Sequence, residues 1–210
     1  MIKTTMLKLI GAAALVSAPA LCQSPLSFSI GGGVTVPGRG SGSRFNTGYN
    51  LNAGIGVHAH YLGVMAEFGF NHMNVSNGSL NAIGVPGGSA RIYSATLNPM
   101  VHLLPGHAMD VYLIGGGGFY RRTVEFTQPG TAIATGFDPF FGIFYPVQIQ
   151  TTDVISSSVQ NRGGINGGVG LAWKLGGDTR STFFAEARYH HIYTSPRRTN
   201  WLPVTFGFRW

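Results

Sequence analysis

The chain has only seven carboxylates against fourteen Lys and Arg, so the position of each acid carries information. Glu67 and Glu186 stand inside segments of alternating polarity, on the small, polar side. Arg188, Lys174 and Arg209 occupy the same side of their own segments. Charges enclosed together there must pair, because a desolvated, unpaired charge is costly. Two readings of such a set stay open: a fixed polar plug, or a charged constriction of the kind that sets selectivity in pores. A second constellation is His190-His191 near Glu186 and Thr194. A nucleophilic hydroxyl must lie within hydrogen-bond reach of its base. No Ser follows either histidine at two residues, and Thr194 falls on the opposite face from His191 in a regular strand. The pair is therefore expected as interfacial histidines near an outer rim. His58, His60 and His102 fall near the opposite rim and make no compact cluster with it, so no metal site and no cofactor are expected.

Basic residues form the third constellation. Arg121-Arg122 and Arg197-Arg198 are the tightest clusters in a chain of net charge +7 and pI about 9.9. Such a balance invites nucleic acid as a partner, but no Lys/Arg-rich block exists, so nucleic acid is excluded. Two of the few lysines, Lys3 and Lys8, lie in the first eight positions. The glycine-rich runs GGGVTVPGRGSG and GGGGFY lack a Lys-Ser/Thr ending and open no helix, which argues against a phosphate loop.

The elements that must position these residues are strands. LSFSIGGGVTV sets Leu26, Phe28, Ile30, Val34 and Val36 against Ser27, Ser29, Gly31, Gly33 and Thr35. YNLNAGIGVHA, LGVMAEFGF, GINGGVGLAWKL, STFFAEARYHHIY and LPVTFGFRW alternate in the same way. Strict alternation is the signature of a half-buried strand. RIYSATLNPMVHLL alternates too, and Pro99 predicts a bulge or kink there. DVYLIGGGGFYRRTVEF makes an eighth strand whose faces the four glycines leave unassigned.

Composition narrows the class. Gly contributes 32 residues, Phe 14 and Tyr 8, while only 10% of residues are charged, far fewer than the quarter or so usual in soluble domains. No apolar run after the N-terminus is long enough for a spanning helix. Residues 1–22 read as a signal peptide: a basic start, the apolar core LIGAAALVSAPAL, and cleavage after Ala20 or Cys22. Leu21 fits poorly before an acylated cysteine. With cleavage after Cys22 the mature chain, residues 23–210, has no thiol and cannot be a disulfide-stapled scaffold.

Connections alternate long and short. A segment of PGRGSGSRFN, a loop over about Ser76–Ser89, a loop over about Thr127–Arg162 and TSPRRTN are long. The links at His60-Tyr61, LPGHAM and GGDTR are short. This predicts an all-β, eight-stranded antiparallel up-and-down transmembrane β-barrel, with long loops outside and short periplasmic turns. A secreted β-sandwich would place an almost uncharged face in water, contrary to ordinary soluble surfaces. Phe137, Phe140, Phe141, Phe144 and Tyr145 in the longest loop are expected to form a partly ordered cap, extend the wall, or meet a partner surface. Arg39, Arg44, Arg91, Arg121, Arg122, Arg162, Arg197 and Arg198 fall at the outer rim, where guanidinium forks suit lipopolysaccharide phosphates; only Lys174, Arg180 and Arg209 lie near the periplasmic turns.

The signal peptide, the alternating strands and the aromatic final strand together resemble the small outer-membrane β-barrels of the OmpA and opacity type. The resemblance implies that Val204, Phe206, Phe208 and Trp210 form the C-terminal signal read by the barrel-assembly machinery. It implies residence in the bacterial outer membrane as a monomer, with a structural, envelope-integrity or surface-interaction role. A small diffusion pore is the alternative. Some small outer-membrane barrels are lipid A deacylases with a His-x-Ser pair, which this chain lacks, so a lipid-modifying enzyme is the least favoured reading.

Overall fold

Alternation closes into a ring. The structure, a computed structural model, describes residues 26–38, 44–176, 181–194 and 198–210. The expected signal peptide, with Cys22, lies outside them, as do Arg39, Arg180 and Arg197. The strands are β1 Leu26–Pro37, β2 Gly48–His58, β3 Leu62–Asn74, β4 Gly87–His102, β5 Met109–Asp138, β6 Ile143–Lys174, β7 Thr182–Ile192 and β8 Thr199–Arg209. Each pairs antiparallel with its neighbours, and β1 pairs with β8 from Ser29↔Arg209 to Pro37↔Trp201, so the barrel is closed. Closure satisfies the backbone of every wall strand, which a lipid environment demands.

The faces follow the alternation. Leu26, Phe28, Ile30, Leu51, Phe68, Leu97, Val169, Phe206 and Phe208 are exposed on the outside; Ser27, Ser29, Thr35, Asn50, Ser94, Thr96 and Thr205 are buried inside. The unassigned faces of β5 resolve: Tyr112, Ile114 and Tyr120 are buried inside and Leu113 and Phe119 face out. Gly116 and Gly118 therefore face inward, where a Cβ would meet the Leu97 and Ala95 carbonyl oxygens at 2.0 Å. An eight-stranded lumen is just wide enough for side chains to fill it, which explains glycine on this face.

Three expectations need correction. Pro99 produces no bulge. The β4–β5 ladder skips Asn98 and Pro99, then resumes at Met100↔Ile114 in the register of Leu97↔Gly117. The register shift lies instead between Phe126 and Thr127, where Ile155 is the extra residue of β6. Second, the stretch 127–162 is not a loop. It continues β5 and β6 as a two-stranded ribbon that pairs down to Asp138↔Ile143. Pairing with β4 ends at Thr127 and pairing with β7 begins at Gly164. From Thr127 to Asp138 the ribbon rises roughly 35 Å at about 3.3 Å per residue. Third, this ribbon does not cap the mouth. The β3–β4 connection does so, through the short helix α1, Asn77–Ile83, capped by Ser76 at its start and by Gly84 at φ 68° at its end. Leu80 of α1 joins Phe45, Met73, Val75, Ile92, Tyr120, Ile192 and Trp201 in one buried apolar cluster.

Candidate functional site

The charge that alternation directs inward converges at mid-height. Glu67 comes from β3, Asn98 from β4, Tyr112 and Tyr120 from β5, Asn166 from β6, and Glu186, Arg188 and His190 from β7. Arg188 is the hub. Its Nη2 donates to Glu67 Oε1 at 2.7 Å, its Nη1 donates to Glu67 Oε2, and its Nε donates to Glu186. Side-chain exposures are 7% for Arg188, 7% for Glu67 and 2% for Glu186, so all three groups have left water. The planar guanidinium suits this task, because its fork grips one carboxylate with two donors and leaves Nε for another.

The remaining acceptor capacity is also used. Tyr112 Oη donates to Glu186 Oε2 at 2.9 Å. Asn98 Nδ2 donates to Glu67 and, at 2.9 Å, to Thr96 Oγ1. Asn166 Nδ2 donates to Asn98 Oδ1 at 2.9 Å, and Tyr120 Oη bonds His190 Nδ1 at 3.1 Å. His190 stacks on Trp201, with centroids 4.8 Å apart and planes at 22°. On the β8–β1–β2–β3 side, Thr205 Oγ1 donates to Asn50 Oδ1 at 2.9 Å and Thr35 Oγ1 donates to Asn71 Oδ1 at 2.9 Å.

Apolar layers lie above and below. The outer one is the cluster around Trp201 and Leu80; the inner one comprises Met65, Met100, Tyr112, Ile114 and Ala172. Between them, the space beside Glu67, Asn71 and Arg188 amounts to about 30 Å³. That is room for about one or two water molecules. The interior is packed as a core, and this geometry favours the plug over the constriction.

Of the five charges expected inside, three form the network. Lys174 lies at the periplasmic end of β6 and is exposed. Arg209 is buried but faces rings, with its Cζ 5.2 Å from both the Tyr112 and Phe184 centroids. Parity gave their side of the wall; their height along it separates them from the carboxylates. His190 is not interfacial but sits inside, beneath Trp201. His191 bonds Asn200 Oδ1 at 2.7 Å, and Thr194 Oγ1 bonds Thr199 Oγ1 at 3.0 Å. Among the described residues no group of His, Cys, Asp and Glu could hold a metal ion.

The arginine rim divides as well. Arg122 turns inward, where Nη1 donates to Thr199 Oγ1 at 2.6 Å and Nη2 to Gln160 Oε1 at 3.2 Å. Arg121 faces outward beside Tyr93, Phe68 and the Arg91–Glu125 ion pair. Arg198 is exposed. Sequence reading missed Asn98, Tyr112, Tyr120, Asn166 and Trp201. The inward parity of the tyrosines was the available signal, hidden by the glycine run between them.

The comparisons with known proteins fit this geometry. No family model matches the chain, and no curated protein matches it in sequence. Among solved structures, the Neisserial surface protein A is similar over 88% of this chain and 95% of its own, at 12% identity and a TM-score of 0.57. The fold is that of a small outer-membrane β-barrel. Two further barrels are similar at lower scores: the attachment invasion locus protein Ail of Yersinia pestis, and the N-terminal barrel domain of OprF of Pseudomonas aeruginosa. Ail covers 89% of this chain and 99% of its own at 15% identity and a TM-score of 0.47; the OprF domain covers 90% and 100% at 15% and 0.42. A closed barrel with an apolar, lipid-facing wall belongs in the outer membrane.

Proposed function

We propose that this barrel is a non-conducting, non-enzymatic membrane anchor that holds a long β-ribbon outside the cell for surface interaction. The observation that carries the reading is a packed interior beneath an exposed ribbon. The Arg188 network between two apolar layers leaves no volume suited to a diffusing solute. Ile133, Phe140, Phe141 and Phe144 on the ribbon are each at least 70% exposed. Apolar exposure of this kind marks interaction surfaces.

The same reading assigns the outer-leaflet partner. Arg121 beside Tyr93 lies where phosphates of lipopolysaccharide meet the wall, whereas Arg122 does not reach them. The protein works as a monomer, and Val204, Phe206, Phe208 and Trp210 present the outward face of β8 to the assembly machinery. The test is cell adherence. Cells expressing the full chain are compared with cells in which a short turn replaces residues 128–153, between the paired Thr127 and Val154. Loss of adherence with intact surface display is the expected result. Equal adherence overturns the surface role and leaves envelope integrity, read as detergent sensitivity of cells lacking the protein.

A further inference from the structure

The periplasmic mouth holds a second constellation that the interior network does not use. Three buried nitrogens there have no hydrogen-bond partner: His58 Nε2, His102 Nε2 and Arg209 Nε. Their residues line one cavity of about 430 Å³, with Lys174, His60 and Asp110 also on its wall. That volume is in the range of small-molecule sites. The three groups are neighbours. The His58 and His102 rings are 5.6 Å apart, the Tyr112 ring is 5.7 Å from His102, and Arg209 Cζ lies 5.2 Å from the same Tyr112 ring. Arg209 is 93% buried by the complement of its 7% exposure, so its unpartnered Nε is not solvated as a surface guanidinium would be.

A carboxylate fixes the orientation of one of these rings. Asp110 Oδ1 accepts the Leu104 N–H at 3.0 Å, and its other oxygen pairs with His102 Nδ1. This occupies one edge of the imidazole and leaves Nε2 as its unpartnered edge. Buried donors without acceptors cost stability unless something satisfies them. Two imidazoles are too few ligands for a metal ion, and among the described residues no third His, Cys, Asp or Glu completes a set with them. The Arg209 guanidinium and the Lys174 ammonium on the same wall oppose a cation and favour its opposite.

We propose that the periplasmic mouth binds a small organic oxyanion, a carboxylate or phosphate ester, between His58, His102 and Arg209, with Lys174 at the rim. The barrel then carries a ligand site on the face turned away from its ribbon. This site is independent of the surface role. Failure of either leaves the other standing, because one is read outside the cell and the other on purified protein.

The experiment uses the full mature chain folded in detergent micelles, with heat-modifiable migration confirming the fold of every variant. Citrate and inorganic phosphate are titrated separately at constant ionic strength, followed by calorimetry and by imidazole NMR. Saturable binding of either probe in the millimolar range or tighter is expected, with shifts confined to His58, His60 and His102. Citrate binding alone indicates a carboxylate ligand and phosphate binding alone a phosphate ester. His58→Asn and His102→Asn should each weaken binding by about tenfold or more, as loss of a charge-assisted hydrogen bond does. Arg209→Gln should do the same; if it fails to fold, the two histidine variants decide. No saturable binding by folded protein up to 50 mM, the order of twentyfold above about 2 mM, overturns the site. So does binding that all three variants leave unchanged, or tight zinc binding that His58→Asn abolishes.

Discussion

Replacing Arg188 by Gln removes the only cation in contact with Glu67 and Glu186 among the described residues. Both carboxylates stay buried, at side-chain exposures of 7% and 2%. Three charge-assisted hydrogen bonds disappear: two to Glu67 and one to Glu186. Asn98 and Tyr112 still donate one each, so the acids are not stripped bare. Breaking a buried pair while leaving its partner in place costs about 3–5 kcal/mol. With two partners left, the upper end applies. Urea unfolding of the refolded barrel in lipid, followed by Trp fluorescence, would register this. At a slope of about 2 kcal/mol per molar, a loss of about 5 kcal/mol lowers the midpoint by about 2.5 M. Arg188→Lys keeps the charge but not the fork, and should fall between the two proteins. The triple variant Glu67→Gln, Glu186→Gln, Arg188→Met removes every charge together and should regain most of the loss, since an apolar or neutral replacement of a whole buried network is often tolerated. A loss below about 1 kcal/mol for Arg188→Gln, with no recovery in the triple variant, would refute the reasoning, because it would mean that water solvates these acids.

Three further outcomes follow from packing and from the rim. Trp201→Ala should cost about 3–5 kcal/mol in the same urea assay, because the indole is fully buried between His190 and the Tyr120 ring. Gly170→Ala places a methyl 2.1 Å from Tyr112 Cζ and should cost about 1–3 kcal/mol, while Gly167→Ala, with open space around its Cβ, should leave the midpoint within about 0.5 kcal/mol. Arg121→Gln should reduce lipopolysaccharide co-purifying with the barrel and Arg122→Gln should not, since Arg122 is committed to Thr199 and Gln160; equal effects would return both to the rim.

The faces of the wall were legible because alternation is local. LSFSIGGGVTV states its own inside and outside without reference to any other strand. What alternation leaves out is height. Lys174 and Arg188 share a side, yet one lies at the mouth and the other at mid-barrel. That difference depends on register between strands far apart in sequence, as in the contact of Arg188 with Glu67 across 121 positions. The ribbon misled for another reason. The stretch 127–162 read as a loop, yet it holds strands that carry Pro129 and Pro146, because Pro is tolerated on a strand whose edge is unpaired, and both ribbon strands have such an edge. Trp201 stands between the TSPRRTN connection and the alternating LPVTFGFRW, so alternation left it unassigned. It belongs to β8, and it closes the outer layer of the plug.

Conductance tests the sealed interior most directly. The purified barrel, inserted in planar lipid bilayers under 1 M KCl and 100 mV, should show no sustained open level, because two apolar layers and a satisfied ion-pair network fill the path. Arg188→Gln, by contrast, should admit water beside the freed carboxylates and give brief, cation-selective openings. A stable, long-lived conductance from the unaltered chain would contradict the sealed interior and restore the pore.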